Sequence, residues 1–150
     1  MRKAKGHFKL QKVSRQRKFD LFVELFKPGP NDRVLDIGGS DGSYLAALYP
    51  WPERVSVLDL SMSAVKKVRG PCALCADALK LPFTDGAFDL VWSNAVIEHV
   101  GDFERQRQFA GEVRRVSGRY FVTSPWRGFP VELHYKTAIP IRVQESLTTS

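Results

Sequence analysis

A doubly wound α/β domain with a mostly parallel sheet is predicted from three observations. Short apolar runs of strand length alternate with segments of helical spacing, the first run enters a glycine-rich turn, and acids stand at the ends of successive runs. The chain has 150 residues, the size of one domain. Its 43% apolar and 26% charged content is that of an ordinary globular protein.

The elements follow in order. Phe19, Phe22, Val23 and Phe26 recur at helical spacing until Lys27-Pro28-Gly29-Pro30 ends the pattern. Arg33-Val34-Leu35-Asp36-Ile37 reads as the first strand, followed by the turn Gly38-Gly39-Ser40-Asp41-Gly42 and a helix carrying Tyr44, Leu45, Leu48 and Tyr49 up to Pro50. Arg54 to Asp59 is the second strand, with a helix predicted over 61–69. Cys72 to Ala76 is the third strand and Phe88 to Ser93 the fourth. Arg119 to Thr123 is the fifth, after a long helix whose Phe109, Val113 and Val116 share one face. Continuous apolar strands between helices indicate a parallel sheet covered on both faces.

Charge is distributed unevenly. The net charge of +7 arises before the first acid, Asp20, from Arg2, Lys3, Lys5, Lys9, Lys12, Arg15, Arg17 and Lys18. The rest of the chain is nearly neutral. Residues 1–18 are therefore read as a basic arm, solvated and leading into the first helix, and 19–150 as the domain. Any nucleic-acid affinity is expected in that arm, separable from the rest. The arm has no signal-peptide core, and its resemblance to an organellar transit peptide is loose because Ser is scarce. No apolar run approaches the roughly 18 residues of a membrane span, so a cytoplasmic protein is expected.

Cys72 and Cys75 form one CxxC, and His7, His99 and His134 are scattered singly. A structural zinc site needs four ligands at paired spacings, so no metal is expected. The two thiols are read instead as core groups on a buried third strand.

Ligands of open parallel sheets bind beyond the carboxyl ends of the strands, where strand order reverses. Asp36 ends strand one at the glycine-rich turn, and Asp59 ends strand two. An acid about 20 residues past such a turn suits the hydroxyls of a ribose. A dinucleotide fingerprint starting at Gly38 would need glycine at 40 and 43, where this chain has Ser40 and Ser43. Asp59 could equally start the helix after Ser61, and Asp77 could be an ordinary turn acid.

The stretch Val34-Leu35-Asp36-Ile37-Gly38-Gly39-Ser40-Asp41-Gly42 resembles the first motif of class I S-adenosylmethionine-dependent methyltransferases. The segments Ala76 to Phe83 and Phe88 to Val100 are similar to the family's regions after strand three and around strand four. Together they resemble the broad group that includes quinone-biosynthesis enzymes. The resemblance implies a Rossmann-like methyltransferase three-layer sandwich. It also implies S-adenosyl-L-methionine as cofactor, with Asp36, Gly38, Gly39, Ser40 and Gly42 along its methionine part. Asp59 would take the ribose hydroxyls, Leu60 would pack near the adenine, Asp77 and the Ala78 amide would meet the ring, and Asn94 would lie near the sulfonium.

Two departures stand out against the family pattern. Ser40 replaces its middle glycine, and the 27 residues after Thr123 show no pattern for the helix and last antiparallel strands that the family adds. The sheet is thus expected to end at strand five, with Tyr120, Phe121 and Val122 on an edge open to self-association. Pro130-Val131-Glu132-Leu133-His134-Tyr135 resembles a stretch that shapes the substrate side in some relatives, and reads equally as a surface loop.

The implied reaction is methyl transfer to a small-molecule acceptor, with His99 as the candidate general base where the acceptor must lose a proton. Two alternatives stand beside it. One is a cofactor-binding domain without catalysis that needs a partner, suggested by the short C-terminal region. The other is a nucleic-acid methyltransferase, for which only the arm speaks, since Ser93-Asn94-Ala95-Val96 stands where an Asn-Pro-Pro-Tyr-like motif would mark base methylation.

Overall fold

The computed structural model describes residues 3–69 and 72–124. Its main elements are α1 (Lys3–Phe26), β1 (Val34–Ile37), α2 (Leu45–Leu48), β2 (Val55–Asp59), α3 (Met62–Val65), β3 (Cys72–Cys75), β4 (Leu90–Asn94), α4 (Phe103–Val116) and β5 (Tyr120–Thr123). All strand pairs are parallel, in the order β3-β2-β1-β4-β5. The chain steps outward from β1 to β3 and returns to β4 on the other side of β1. The direction of winding therefore reverses between β1 and β4, which opens a crevice at their carboxyl ends.

Alternation along each strand makes three layers, because successive side chains leave a strand on opposite faces. Val34, Val57, Leu90 and Trp92 pack with Phe19 and Phe22 of α1 and Leu45 of α2. Leu35, Ile37, Leu58 and Val91 pack on the other face with Phe109, Val113 and Val116 of α4. The carboxylate of Asp102 caps α4 by accepting from the Arg105 amide at 3.0 Å.

The first helix is longer than its apolar spacing indicated. It begins at Lys3 and crosses the expected boundary between residues 18 and 19 without interruption, there being no proline before Pro28 to stop it. Its buried Phe22 meets the Trp92 ring edge-on with centroids 5.2 Å apart, and Trp92 stacks on Phe121 at 4.8 Å. The C-terminal half of α1 is thus a layer of the domain. α3 is shorter than the helix predicted over 61–69, continuing only as hydrogen-bonded turns to Val68.

The third strand forms as predicted but is not buried. Cys72 is exposed and Cys75 half-buried, because among the described strands β3 is an edge that pairs with β2 alone. Among the described residues no group of His, Cys, Asp or Glu is arranged to hold a metal, and no helix is long and apolar enough to cross a membrane. Among the described strands β5 forms the other edge. The Pro130 to Tyr135 stretch and the C-terminal region lie outside the described residues.

Candidate functional site

Every residue of β1 is buried, so its last polar group, Asp36, is carried into the interior with only 2% of its surface exposed. The turn that follows is held to the neighbouring strand by the Gly38 amide, which donates to Leu58 O at 2.7 Å. Gly38 has φ +75°, and a β-carbon there would collide with the side chain of Val96, just past β4. The two loops of the switch point touch here, and glycine is what permits it. A β-carbon on Gly39 would stand 2.5 Å from Asp36 Oδ2. Ser40 takes φ +53°, the left-handed region that glycine occupies at lower cost, and its amide donates to Asp59 Oδ2 at 3.0 Å.

That last bond joins the turns after β1 and β2. Asp59 Oδ1 also accepts from the Ser61 amide at 2.8 Å. Asp77 Oδ1 accepts from the Leu79 amide at 2.9 Å, an Asx-turn. The local roles open to both acids are therefore realised. Each carboxylate oxygen can accept more than one bond, so both acids keep acceptor capacity for a ligand. Asp59, Leu60, Asp77 and Ala78 line a cavity of about 390 Å³ with Ile37, Gly38 and His99. Leu60 is 73% exposed at its rim.

A second cavity of about 270 Å³ lies on the α1 side, between Asp36, the turn from Gly38 to Asp41, Asn94, Trp92, Tyr44 and Arg15. Gly38 belongs to both. The alternation of β1 explains the division, for Asp36 and Ile37 face opposite sides of the sheet and Gly38 forms the partition where the strand ends. Asn94 closes β4, its Oδ1 accepting from the Thr123 hydroxyl at 2.8 Å and from Lys18 Nζ at 2.6 Å.

This arrangement can be set beside known proteins. A family profile described as "Methyltransferase domain" matches residues 35–120. The chain belongs to this methyltransferase family. It is 32% identical over 104 residues to the demethylmenaquinone methyltransferase of Roseiflexus castenholzii, covering 64% of this chain and 44% of that one. It is 33% identical over 123 residues to the malonyl-[acyl-carrier protein] O-methyltransferase of a Methylovorus species, covering 71% and 40%. The chain thus spans less than half the length of these two curated relatives.

Among solved structures, PH0226 from Pyrococcus horikoshii superposes with TM-score 0.67 at 23% identity, covering 77% of this chain and 58% of that one. The [4+2]-cyclase SpnF superposes with TM-score 0.64 at 23% identity, covering 81% and 50%. These structural likenesses show the fold. That a cyclase shares it means the chemistry has to be argued from the site.

In this methyltransferase domain the most perturbed group of the site is Asp36. Burial pushes its carboxyl up to about 7, with the Asp59 charge adding in the same direction. Its Oδ2 is buried without a hydrogen-bond partner. An unpaired buried carboxylate oxygen opening on a cavity suits a ligand bearing an ammonium, and the close approach of Gly39 leaves the backbone open to that ligand. The residue set therefore fits S-adenosylmethionine, whose methionine part carries such a group.

His99 closes a short 3-10 helix, Ile97–His99, with its side chain 58% exposed and Nε2 4.0 Å from Glu98 Oε1. It lines the larger lobe with Asp77 and Ala78, whereas Asn94 lines the smaller. Sequence reasoning did not single out Arg15, Lys18, Tyr44 or Trp92 for the site. The signal was present in α1, where Arg15 and Lys18 share the helical spacing of Phe19 and Phe22 and so lie on the side of the helix toward the sheet, Lys18 half-buried and Arg15 exposed at the mouth of the smaller cavity.

Proposed function

We propose that this chain binds S-adenosyl-L-methionine across the two lobes and transfers its methyl group to a small-molecule acceptor. The observation that carries the reading is the continuity of the lobes at Gly38, with Asp59 and Asp77 on one side and Asp36 and Asn94 on the other. In this reading Asp59 accepts from the ribose hydroxyls, Asp77 and the Ala78 amide meet the adenine beside Leu60, and Asp36 takes the methionine ammonium. Gly38, Gly39 and Ser40 let the backbone lie along the chain between them, while Gly42, at φ +73°, lines neither lobe and lets the turn close on Val57 and Val68.

The sulfonium supplies an already activated methyl group, whose transfer leaves the bonding electron pair on sulfur. The protein's contribution is then mainly to hold the acceptor in line and exclude water. Asn94, fixed by Thr123 and Lys18, marks the end of the smaller lobe where that approach would occur. Quinone and malonyl-carrier substrates in the names of the relatives support an organic acceptor without selecting one.

Titration calorimetry with S-adenosylhomocysteine tests the reading. Saturable binding is expected, weakened by roughly 1–3 kcal/mol in Asp59→Ala, the cost of leaving ribose hydroxyls unpaired. Tight binding of NAD in its place would refute it. Binding of S-adenosylhomocysteine with no turnover on any methyl acceptor would favour the second reading, a cofactor-binding domain that acts with another chain.

A further inference from the structure

The smaller lobe carries opposite charges on two walls. Asp36 forms one, at the end of β1. Facing it from α1 is Arg15, its guanidinium 5.1 Å from the centroid of the Tyr44 ring, while the Tyr44 hydroxyl donates to Arg15 O at 2.9 Å. Three residues further along the helix, Lys18 is tied to Asn94 at the same end of the sheet. Two independent polar contacts thus dock α1 over the cavity. Both cations lie outside residues 35–120, so the family profile assigns neither.

We propose that Arg15 is a binding residue of the cofactor site, taking the carboxylate of a ligand's α-amino acid end while Asp36 takes its ammonium, so that α1 forms a wall of that site. The inference rests on the cofactor reading above and extends it to a segment that the sequence presents as a separate basic arm. A cavity of about 270 Å³ with one guanidinium set opposite the buried Asp36, and a second, exposed acid, Asp41, on the glycine turn, offers a partner to each charge of a zwitterion. A phosphate would meet the Arg15 charge but would be repelled by Asp36 once ionised, whereas an ammonium stabilises that ionised form. The guanidinium fork also matches a carboxylate in shape, with the Tyr44 ring supporting one of its faces.

The consequence is selectivity. The chain should distinguish a ligand with an intact amino acid end from one that lacks it, and the discrimination should disappear with the guanidinium. Calorimetry with two probes, S-adenosylhomocysteine and 5′-methylthioadenosine, reads this directly, since the second keeps the adenosine and loses the amino acid. The unaltered chain should bind S-adenosylhomocysteine more tightly than methylthioadenosine. Arg15→Gln should weaken S-adenosylhomocysteine roughly 10- to 100-fold, the worth of a charged hydrogen-bonded contact, and leave methylthioadenosine unchanged. Arg15→Lys should restore part of the loss, through charge without the fork.

Methylthioadenosine serves as the folding control for each variant. Arg15→Gln with the preference intact would overturn the inference and leave the cofactor reading standing. Equal loss of both ligands in that variant would also overturn it, by showing that Arg15 only props the fold. Failure of the unaltered chain to bind either ligand would remove the cofactor reading, and this inference with it.

Discussion

Lys18 Nζ donates to Asn94 Oδ1 at 2.6 Å across 76 residues of sequence, and so fastens α1 to the end of β4. Burial lowers the pKa of this ammonium, the Glu98 charge opposes that shift, and Arg15 adds to it. The bond is made in a partly desolvated place, where losing a donor costs more than at the surface. Lys18→Ala should destabilise the chain by roughly 1–3 kcal/mol, read as a lower urea midpoint at unchanged slope. Lys18→Gln, which keeps a donor, should lose less. Equal midpoints for Lys18→Ala and the unaltered chain would mean that the contact contributes nothing.

Asp36 should make stability depend on pH. Its carboxyl titrates near 7 in the folded chain, against about 3.9 when unfolded. The folded state therefore favours the protonated form. This contribution is fully present below about pH 4, is lost as pH rises toward 7, and changes little beyond. The shift corresponds to a loss on the order of 4 kcal/mol. Asp36→Asn should abolish this dependence, raising the melting temperature at pH 8 relative to the unaltered chain while weakening S-adenosylhomocysteine. Parallel melting temperatures of the two proteins from pH 4 to 8 would contradict the assignment.

The same group predicts a proton balance on binding. An ammonium beside Asp36 favours its ionised form, so binding at pH 6 should release a proton from this carboxyl. The binding enthalpy should then vary with the ionisation enthalpy of the buffer. Asp36→Asn should remove that variation.

His99 lines the larger lobe with Asp77 and Ala78. Its replacement by Ala is expected to act on affinity for S-adenosylhomocysteine, since the imidazole belongs to the adenosine side of the proposed site. A drop in turnover at saturating cofactor, with affinity unchanged and the acid limb of the pH profile removed, would instead mark it as the general base.

Phe22 links α1 to the sheet through Trp92 and Phe121, all three being buried. Phe22→Ala should cost about 3–5 kcal/mol, the range for truncating a buried aromatic. Because α1 also carries Arg15 and Lys18, the variant should lose S-adenosylhomocysteine affinity together with stability. An intact binding constant in a strongly destabilised variant would show that α1 docks through its polar contacts alone.

The strands were legible because each is a short apolar run and a parallel sheet buries both faces of such a run. The acids at strand ends were legible for a related reason, since Asp36, Asp59 and Asp77 interrupt apolar surroundings at the places where the chain leaves the sheet. Solvation was harder to read. The apolar setting of Cys72 and Cys75 indicated burial, yet β3 lies at an edge, and a local run of residues does not say how many neighbours its strand acquires.

By itself the sequence determined the order of elements, the position of the glycine turn and the methyltransferase resemblance, because each depends on residues close together in the chain. The tertiary structure decided that the cluster of positive charge before Asp20 reaches the switch point, with Arg15 on a wall of the smaller cavity and Lys18 bonded to Asn94. That outcome depends on Phe19 and Phe22 packing with Trp92 and Phe121, residues far away along the chain. Once burial of those rings fixes the rotation of α1, Arg15 and Lys18 are turned toward Tyr44 and Asn94.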